Sequence, residues 1–271
     1  MTKKQKDSFC KAIMQNYREQ GRTFAWRTTT DAYAIMVSEF MLQQTQTSRV
    51  VAKYDEWLKK FPTVQDAAKA PLSDILAAWS GLGYNRRAKF LHEACIHICK
   101  EYDGHVPSDV EQLDSLPGIG AYTARAIATF AFNQSHVFIE TNIRSVYLHF
   151  FFADSKEAVS DAQLLPLIEQ TLDTENPRQW YYALMDYGSE LKKVTVNPSR
   201  KSKGYVKQSA FKGSLRQARG AILRQLSQKK RIALEEVCSV ENIDMERLQK
   251  AAEALCNEKM IRLEDGTYVI D

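Results

Sequence analysis

Cysteine is scarce in this 271-residue chain, and the five present are scattered: Cys10, Cys95, Cys99, Cys238 and Cys256. They form no CxxC pair and no regular framework, which excludes a disulfide-stapled scaffold. His92, Cys95 and Cys99 fall at i, i+3 and i+7, so one helix face could offer all three to a metal. Apolar Ile96 and Ile98 surround them, and small thiols are common core residues, so packing is the simpler expectation and neither metal nor cofactor is expected. Long apolar runs are absent too: none approaches the roughly 20 residues of a membrane span, and no membrane partner is expected. The start, MTKKQKDSF, is basic but lacks the apolar stretch of a secretory leader, so the chain reads as cytoplasmic. No internal repeat of fixed period occurs.

Acid is missing from one stretch. From Lys192 to Arg231 there are 13 Lys and Arg and no Asp or Glu. The rest of the chain holds 24 basic against 33 acidic residues, a net of −9, although the whole carries +4. A solvated charged face is the plain reading of a basic run. Concentrated cations in an otherwise acidic protein point instead to a polyanion, nucleic acid above all.

Helical periodicity dominates what remains. Apolar residues recur at helical spacing over 7–20, 33–44, 48–61, 73–80, 85–101, 120–133, 140–151, 160–172 and 178–191. Pro62, Pro71, Pro107, Pro117 and Pro177 fall between these stretches or at their starts. The periodicity lapses over 192–213, a basic connector containing Ser and Gly. Beyond it, SLRQARGAILRQLSQ, ALEEVCSV and DMERLQKAAEALCNEKM read as three helices, and MIRLEDGTYVID alternates around Asp265-Gly266 as a hairpin. Three helices closed by a hairpin is the order of a winged-helix module, which serves DNA contact and protein–protein contact alike. The expected organisation is an all-α domain over 1–191, the connector 192–213, and a small winged-helix-like module over 214–271.

Two stretches carry chemistry. SEFMLQQTQTSRV (38–50) sets one carboxylate, Glu39, in an apolar run and follows it with Gln43, Gln44 and Gln46. A buried carboxyl must be protonated or paired, so the position is chemically costly. LDSLPGIGAYTARAIATFAF (113–132) stops one helix at Pro117, turns at Gly118 and Gly120, and begins another. Backbone N–H groups at such a turn can meet a phosphate, which is the helix-hairpin-helix way of gripping DNA without reading bases.

LPGIGAYTARAIATFAF, FAWRTTTDAYAIMVSEFMLQQTQTSRV, WSGLGYNRRAKFL and VFIETNIRSV together resemble the helix-hairpin-helix (HhH-GPD) DNA glycosylases, and within them the MutY-type adenine glycosylases, over roughly residues 7–192. The resemblance implies a two-lobed helical domain with duplex DNA across its cleft and a damaged or mispaired base flipped into it. It implies that Glu39 is the general acid that protonates the flipped adenine, and burial beside Phe40, Met41 and Leu42 favours the protonated form of such a group. It makes Gln43 and Gln44 the wedge that fills the duplex, and it puts Trp26, Arg27, Tyr84, Tyr122 and Asn142 at the base pocket and wedge. Gly118 and Gly120, with the connector lysines Lys201, Lys203 and Lys207, become DNA-backbone contacts.

The chain departs from the resembled pattern at several points. The second carboxylate, an Asp in the family, is Glu140 here. The resemblance makes it the group that stabilises the sugar cation as the glycosidic bond breaks, and an extra methylene displaces it by about 1 Å unless the backbone retreats. After MDYGSELKK the family usually places four cysteines on an iron–sulfur cluster, whereas no Cys lies between Cys99 and Cys238. The family's C-terminal Nudix-like reader of 8-oxoguanine gives way to the short helical module. Tyr122 stands where lyase-competent relatives carry Lys, which implies no Schiff base. The expectation is a monomeric, monofunctional DNA N-glycosylase of base excision repair, held near the nucleoid by its DNA, with adenine in a mispair as leading substrate. The alternatives are the same reaction on uracil, thymine, hypoxanthine or an alkylated purine, or a non-catalytic binder of abasic or distorted DNA.

Overall fold

A computed structural model describes residues 1–206 and 210–270. Fourteen α-helices and one small sheet occur among the described residues, so the all-α reading with a terminal hairpin module holds. In chain order the first helices are α1 (Lys3–Gln20), α2 (Ala32–Leu42), α3 (Thr47–Lys60), α4 (Val64–Lys69), α5 (Leu72–Trp79), α6 (Arg86–Glu101) and α7 (Val110–Asp114). They continue as α8 (Ala121–Phe132), α9 (Thr141–Phe151), α10 (Asp161–Thr171) and α11 (Pro177–Val194). The C-terminal run is α12 (Leu215–Lys229), β1 (Arg231–Ile232), α13 (Leu234–Glu241), α14 (Met245–Asn257), β2 (Arg262–Glu264) and β3 (Thr267–Val269). Among the described residues no helix is long and apolar enough to cross a membrane.

The chain divides into two compact units. The first comprises Met1–Ile35, Ser108–Asp114 and Ile119–Lys207. Its core is aromatic: Phe9 of α1 meets Tyr147, Phe150 and Phe151 of α9 at ring-centroid distances of 5.2, 5.0 and 5.1 Å, and Trp180 of α11 at 6.0 Å. Tyr181 stacks on Phe138 at 3.8 Å, and its hydroxyl donates to the His136 carbonyl at 2.8 Å. α1 starts at Lys3, earlier than its apolar spacing alone predicts, because Thr2 and Gln5 form a capping box.

The second unit comprises Met36–Pro107, Ser115–Gly118 and Gln208–Asp271. Trp57 and Trp79 pack edge to face at 5.8 Å in its core. Here the three C-terminal helices are joined by a three-stranded antiparallel sheet of order β1-β3-β2, not by a hairpin alone. Ile232 pairs with Tyr268, and Leu263 pairs with Tyr268 from the other side. The turn residues Asp265 and Gly266 have φ of 47° and 76°, the backbone that a two-residue hairpin loop demands. α4, α7 and β1 are additions to the sequence reading, and each is too short to show a period.

The connector is less loose than its composition implies. α11 runs on to Val194, and Pro198–Lys201 form a 3-10 turn. Ser199 is buried, its hydroxyl 2.7 Å from that of Ser145, and the Lys203 N–H donates to the Val159 carbonyl at 2.9 Å.

Candidate active site

α2 runs from the first unit into the second, and its residues 33–41 are all buried. Such a helix lacks the polar stripe of a surface helix and sits in the core on every side. Within it Glu39 is the one charged residue, only 7% exposed, between Ser38 and Phe40. The sequence places a costly carboxyl here, and the fold keeps it buried.

α2 ends at Leu42, and the wedge candidates follow at once. Gln44 is exposed, with φ of 54°, in the left-handed region that a glutamine adopts only at a cost. Tyr84, after the positive-φ Gly81 and Gly83, is in the same region at 48°. One buried side chain holds both loops. Arg87 donates through Nη1 to the carbonyls of Phe40 (2.8 Å), Met41 (3.0 Å) and Gln43 (2.5 Å). Its Nη2 donates to the Thr45 hydroxyl (2.9 Å) and to the carbonyls of Leu82 (3.3 Å) and Gly83 (3.0 Å). The guanidinium thus caps the carbonyl end of α2 and ties the 43–45 turn to the 82–83 turn. Burial lowers its pKa to about 10, and it lies 5.2 Å over the Trp79 ring and 5.5 Å over that of Tyr84. Arg87 went unassigned in the sequence reading. Its only sequence signal is its place in GLGYNRR.

Glu140 occupies the N-cap of α9, in extended backbone. Its Oε1 accepts the backbone N–H of Asn142 at 2.6 Å and of Ile143 at 2.7 Å, and its Oε2 accepts from the Asn142 amide at 3.2 Å. The longer side chain has folded back onto its own helix, so the extra methylene is absorbed locally and the carboxylate faces the positive end of the helix dipole. Burial pushes the carboxyl above the usual glutamate range. The two backbone N–H groups oppose that push, and then Lys192 and Arg144.

Lys192 is the second residue that sequence reasoning missed in this role, counting it only as the start of the basic run. It is half-buried, and its ammonium donates to Asn142 Oδ1 at 2.9 Å. Burial lowers its pKa, while the charge of Glu140 raises it. α11 reaches α9 closely here because residue 188 is glycine. A Cβ there would stand 2.3 Å from the Asn142 carbonyl oxygen. A glycine inside a helix costs stability against alanine, so Gly188 was a legible sign of close packing.

The other sequence candidates sit as follows. Trp26 is buried and stacks on Phe24 at 4.8 Å. The resemblance puts Arg27 on the phosphate path; in the structure Asp186 holds it through bonds of 2.8 and 2.9 Å, and it covers Tyr182 at 4.5 Å. Arg27, with Arg22 bonded to the same carboxylate at 2.7 Å, holds the Asp186 carboxyl below its ordinary range despite burial, so Arg27 latches its 3-10 turn to α11. Tyr122 meets the Phe138 ring edge-on at 5.7 Å. Gly118 has φ of 74°, and a Cβ there would lie 2.5 Å from Phe90 and 2.9 Å from Phe40, so only glycine fits. Gly120 is the N-cap of α8, and nothing lies within 4 Å of where its Cβ would be. Lys201 turns its ammonium onto the carbonyls of Phe152 and Ala153 at the end of α9, and Lys203 is exposed. Lys207 lies outside the described residues.

The cysteines do not fit an iron–sulfur cluster. Cys95 is fully buried in the core of α6, where burial pushes its thiol far up, opposite to what a thiolate ligand needs. Among the described residues no group of three or more His, Cys, Asp or Glu is placed to hold a metal ion.

Residues 37–168 match the profile of the HhH-GPD superfamily base excision DNA repair proteins. The adenine DNA glycosylase of Mycolicibacterium smegmatis is 47% identical over 135 residues, 49% of this chain and 46% of that one. The human adenine DNA glycosylase is 35% identical over 193 residues, 67% of this chain and 35% of that one, so the chain spans less than half the length of either relative. A solved thermostable thymine-DNA glycosylase superposes with a TM-score of 0.64 at 26% identity, covering 74% of this chain and 93% of that one. Through residues 37–168 the chain belongs to the HhH-GPD superfamily of base excision DNA repair proteins.

Proposed function

We propose that the chain is a monofunctional DNA N-glycosylase that flips a base from duplex DNA and hydrolyses its glycosidic bond, with adenine in a mispair as the substrate. Residues 1–191 form the glycosylase domain, 192–213 the connector and 214–271 the winged-helix-like module of this reading. The observation that carries it is Glu39, a carboxyl-bearing side chain 7% exposed in a helix otherwise buried through apolar residues and Ser38. A protein that only binds DNA has no need to bear that desolvation. The names of the relatives supply adenine.

Glu39 donates a proton to the flipped base, the bond from the base to the sugar breaks with its electrons leaving on the base, and water adds to the sugar carbon, releasing a proton that restores the Glu39 carboxyl. Glu140, anionic and preorganised on the amides of α9, faces the developing cation and orients that water. Gln43 and Gln44 fill the duplex behind the flipped base, with Trp26, Tyr84, Tyr122 and Asn142 around the pocket. The positive φ at Gly118 and the open space at Gly120 let a phosphodiester approach the start of α8. With tyrosine at 122, water is the nucleophile and the product is an abasic site.

The test is strand scission after hot alkali, over duplexes carrying A, U, T, hypoxanthine or 8-oxoguanine in every pairing. Wild type is expected to release adenine. Glu39→Gln, which keeps the shape and removes the proton, is expected to release nothing while still binding DNA. Wild-type excision by that variant would remove Glu39 from its role. Borohydride trapping is expected to yield no protein–DNA adduct, and a strong adduct would point to Lys192, the amine beside Glu140.

A further inference from the structure

Three elements of the first unit close on the first turn of α9, whose N–H groups hold Glu140. α11 takes Asn142, through Lys192 and the close approach of Gly188. α10 takes Arg144, which donates to both carboxylate oxygens of Asp161 at 2.7 Å. The connector takes Thr141, the residue that follows Glu140. Ser145 Oγ donates to the Thr141 carbonyl at 2.8 Å, Ser199 Oγ lies 3.2 Å from the same oxygen, and the two hydroxyls are 2.7 Å apart. Two hydroxyl protons cannot make three bonds at once. The two shorter contacts form a relay from Ser199 to Ser145 to the Thr141 carbonyl, in which each bond strengthens the next.

The relay is sealed and framed. Ser145 is fully buried and Ser199 is 4% exposed, so water does not compete for either hydroxyl. Asn197 Oδ1 accepts the Ser199 N–H at 3.0 Å, and Pro198 stands at the start of the 3-10 turn, where its fixed φ suits the bend. The Val159 N–H donates to the Lys201 carbonyl at 2.8 Å, and the Lys203 N–H returns a bond to the Val159 carbonyl at 2.9 Å. The turn is thereby bolted to the segment that enters α10. Packing alone asks only that each buried hydroxyl find a partner. Here both converge on one carbonyl, one residue from Glu140. A glutamate has one more side-chain torsion than an aspartate, so its carboxylate is placed only as well as the turn that receives it.

We infer that the connector turn over 198–203 is a positioning element for Glu140, with Ser199 and Ser145 as the positioning residues that fix the α9 turn through the Thr141 carbonyl. The inference rests on the reading of Glu140 as the group that faces the sugar cation. It gives the basic connector a part in the chemistry, beyond contact with DNA phosphates.

Amide hydrogen exchange of the full chain, read by NMR, tests this without any excision. Ser199→Ala leaves Ser145 its bond to the Thr141 carbonyl, so no buried donor is stranded and the fold should hold, which melting temperature checks. The amides of Asn142 and Ile143 are expected to exchange about tenfold faster than in wild type, while those of α1 keep their rates. Single-turnover excision should slow by roughly tenfold, while affinity for a duplex carrying a tetrahydrofuran abasic analogue stays within about twofold. Ser145→Ala, made from the α9 side, should show the same split between rate and affinity. An unchanged excision rate would overturn the inference, and weaker binding with it would leave the connector as a phosphate contact only. Unchanged exchange at Asn142 and Ile143 would overturn it too. Equal acceleration in α1 would do the same, because the hydroxyls would then serve stability alone. Failure of wild type to release any base would sink the proposed reaction, and the exchange rates would still decide whether the connector holds the Glu140 turn.

Discussion

Two groups of proposed site residues, one in each unit, are held by opposite means. Glu140 is fixed by regular structure: it caps its own helix, and α11 presses Lys192 and Gly188 against the same turn. Gln44 and Tyr84 sit in irregular loops with left-handed backbones, and one guanidinium, Arg87, keeps both loops in place. The first arrangement preorganises a charge where a helix dipole favours it. The second stores backbone strain in the loops proposed to open the duplex, and it depends on a single cation that burial has already brought down to about 10. Positioning of the anion is therefore distributed over many groups, while positioning of the two loops is concentrated in one.

The largest effect is expected at the helix-held group. Glu140→Gln keeps an oxygen able to accept the N–H groups of Asn142 and Ile143 but removes the charge. Excision should fall on the order of a hundred- to a thousandfold in single-turnover assays, the scale for losing a preorganised electrostatic partner. The melting temperature should stay within a few degrees. A large fall in both would make Glu140 a cap and nothing more.

Next comes Arg87→Met, which preserves bulk and removes the guanidinium bonds to five backbone carbonyls and the Thr45 hydroxyl. Urea unfolding should show a loss of roughly 3 kcal/mol, the upper range for breaking a buried hydrogen-bond network. Hydrogen exchange should quicken in residues 43–46 and 81–84 while 141–146 keep their protection. Equal loosening at 141–146 would break the contrast, because the two groups would then share one support.

How legible was this from sequence? The helices were, because prolines and apolar spacing agree from 33 to 191. α4, α7 and β1 were not, since five or six residues, or two, show no period. Glu39 was legible as a buried carboxyl because an acid in an apolar run is conspicuous, whereas Glu140 was singled out only by the family resemblance. For the cations, sequence reports a charge and hides its partner. Arg27 is answered by Asp186, 159 residues away, and Lys201 by carbonyls at the end of α9. Lys192 was counted only within the basic run and Arg87 went unassigned, yet each is partly or wholly buried against the elements it positions.

The smallest predicted effect concerns Lys192 and is a matter of pH. Burial raises the Glu140 carboxyl, and Lys192 is one of the groups that pull it back, together with the N–H groups of Asn142 and Ile143 and the more distant Arg144. The proposed chemistry needs Glu140 ionised. Lys192→Met should therefore let the carboxyl rise further, moving the acid limb of the single-turnover rate to higher pH, with the variant and wild type converging as pH increases. Stability carries the matching sign. A carboxyl whose pKa is raised by folding binds its proton more tightly in the native state. Stability then declines as pH climbs from the unfolded carboxyl's range through the folded pKa, and ionising Glu140 costs more in Lys192→Met than in wild type. Lys192→Arg restores a cation and should return the limb towards its wild-type position. If Lys192→Met instead lowers the rate by one factor at every pH, Lys192 acts only by orienting the Asn142 amide it holds at 2.9 Å, and the protonation state of Glu140 is set by its own helix alone.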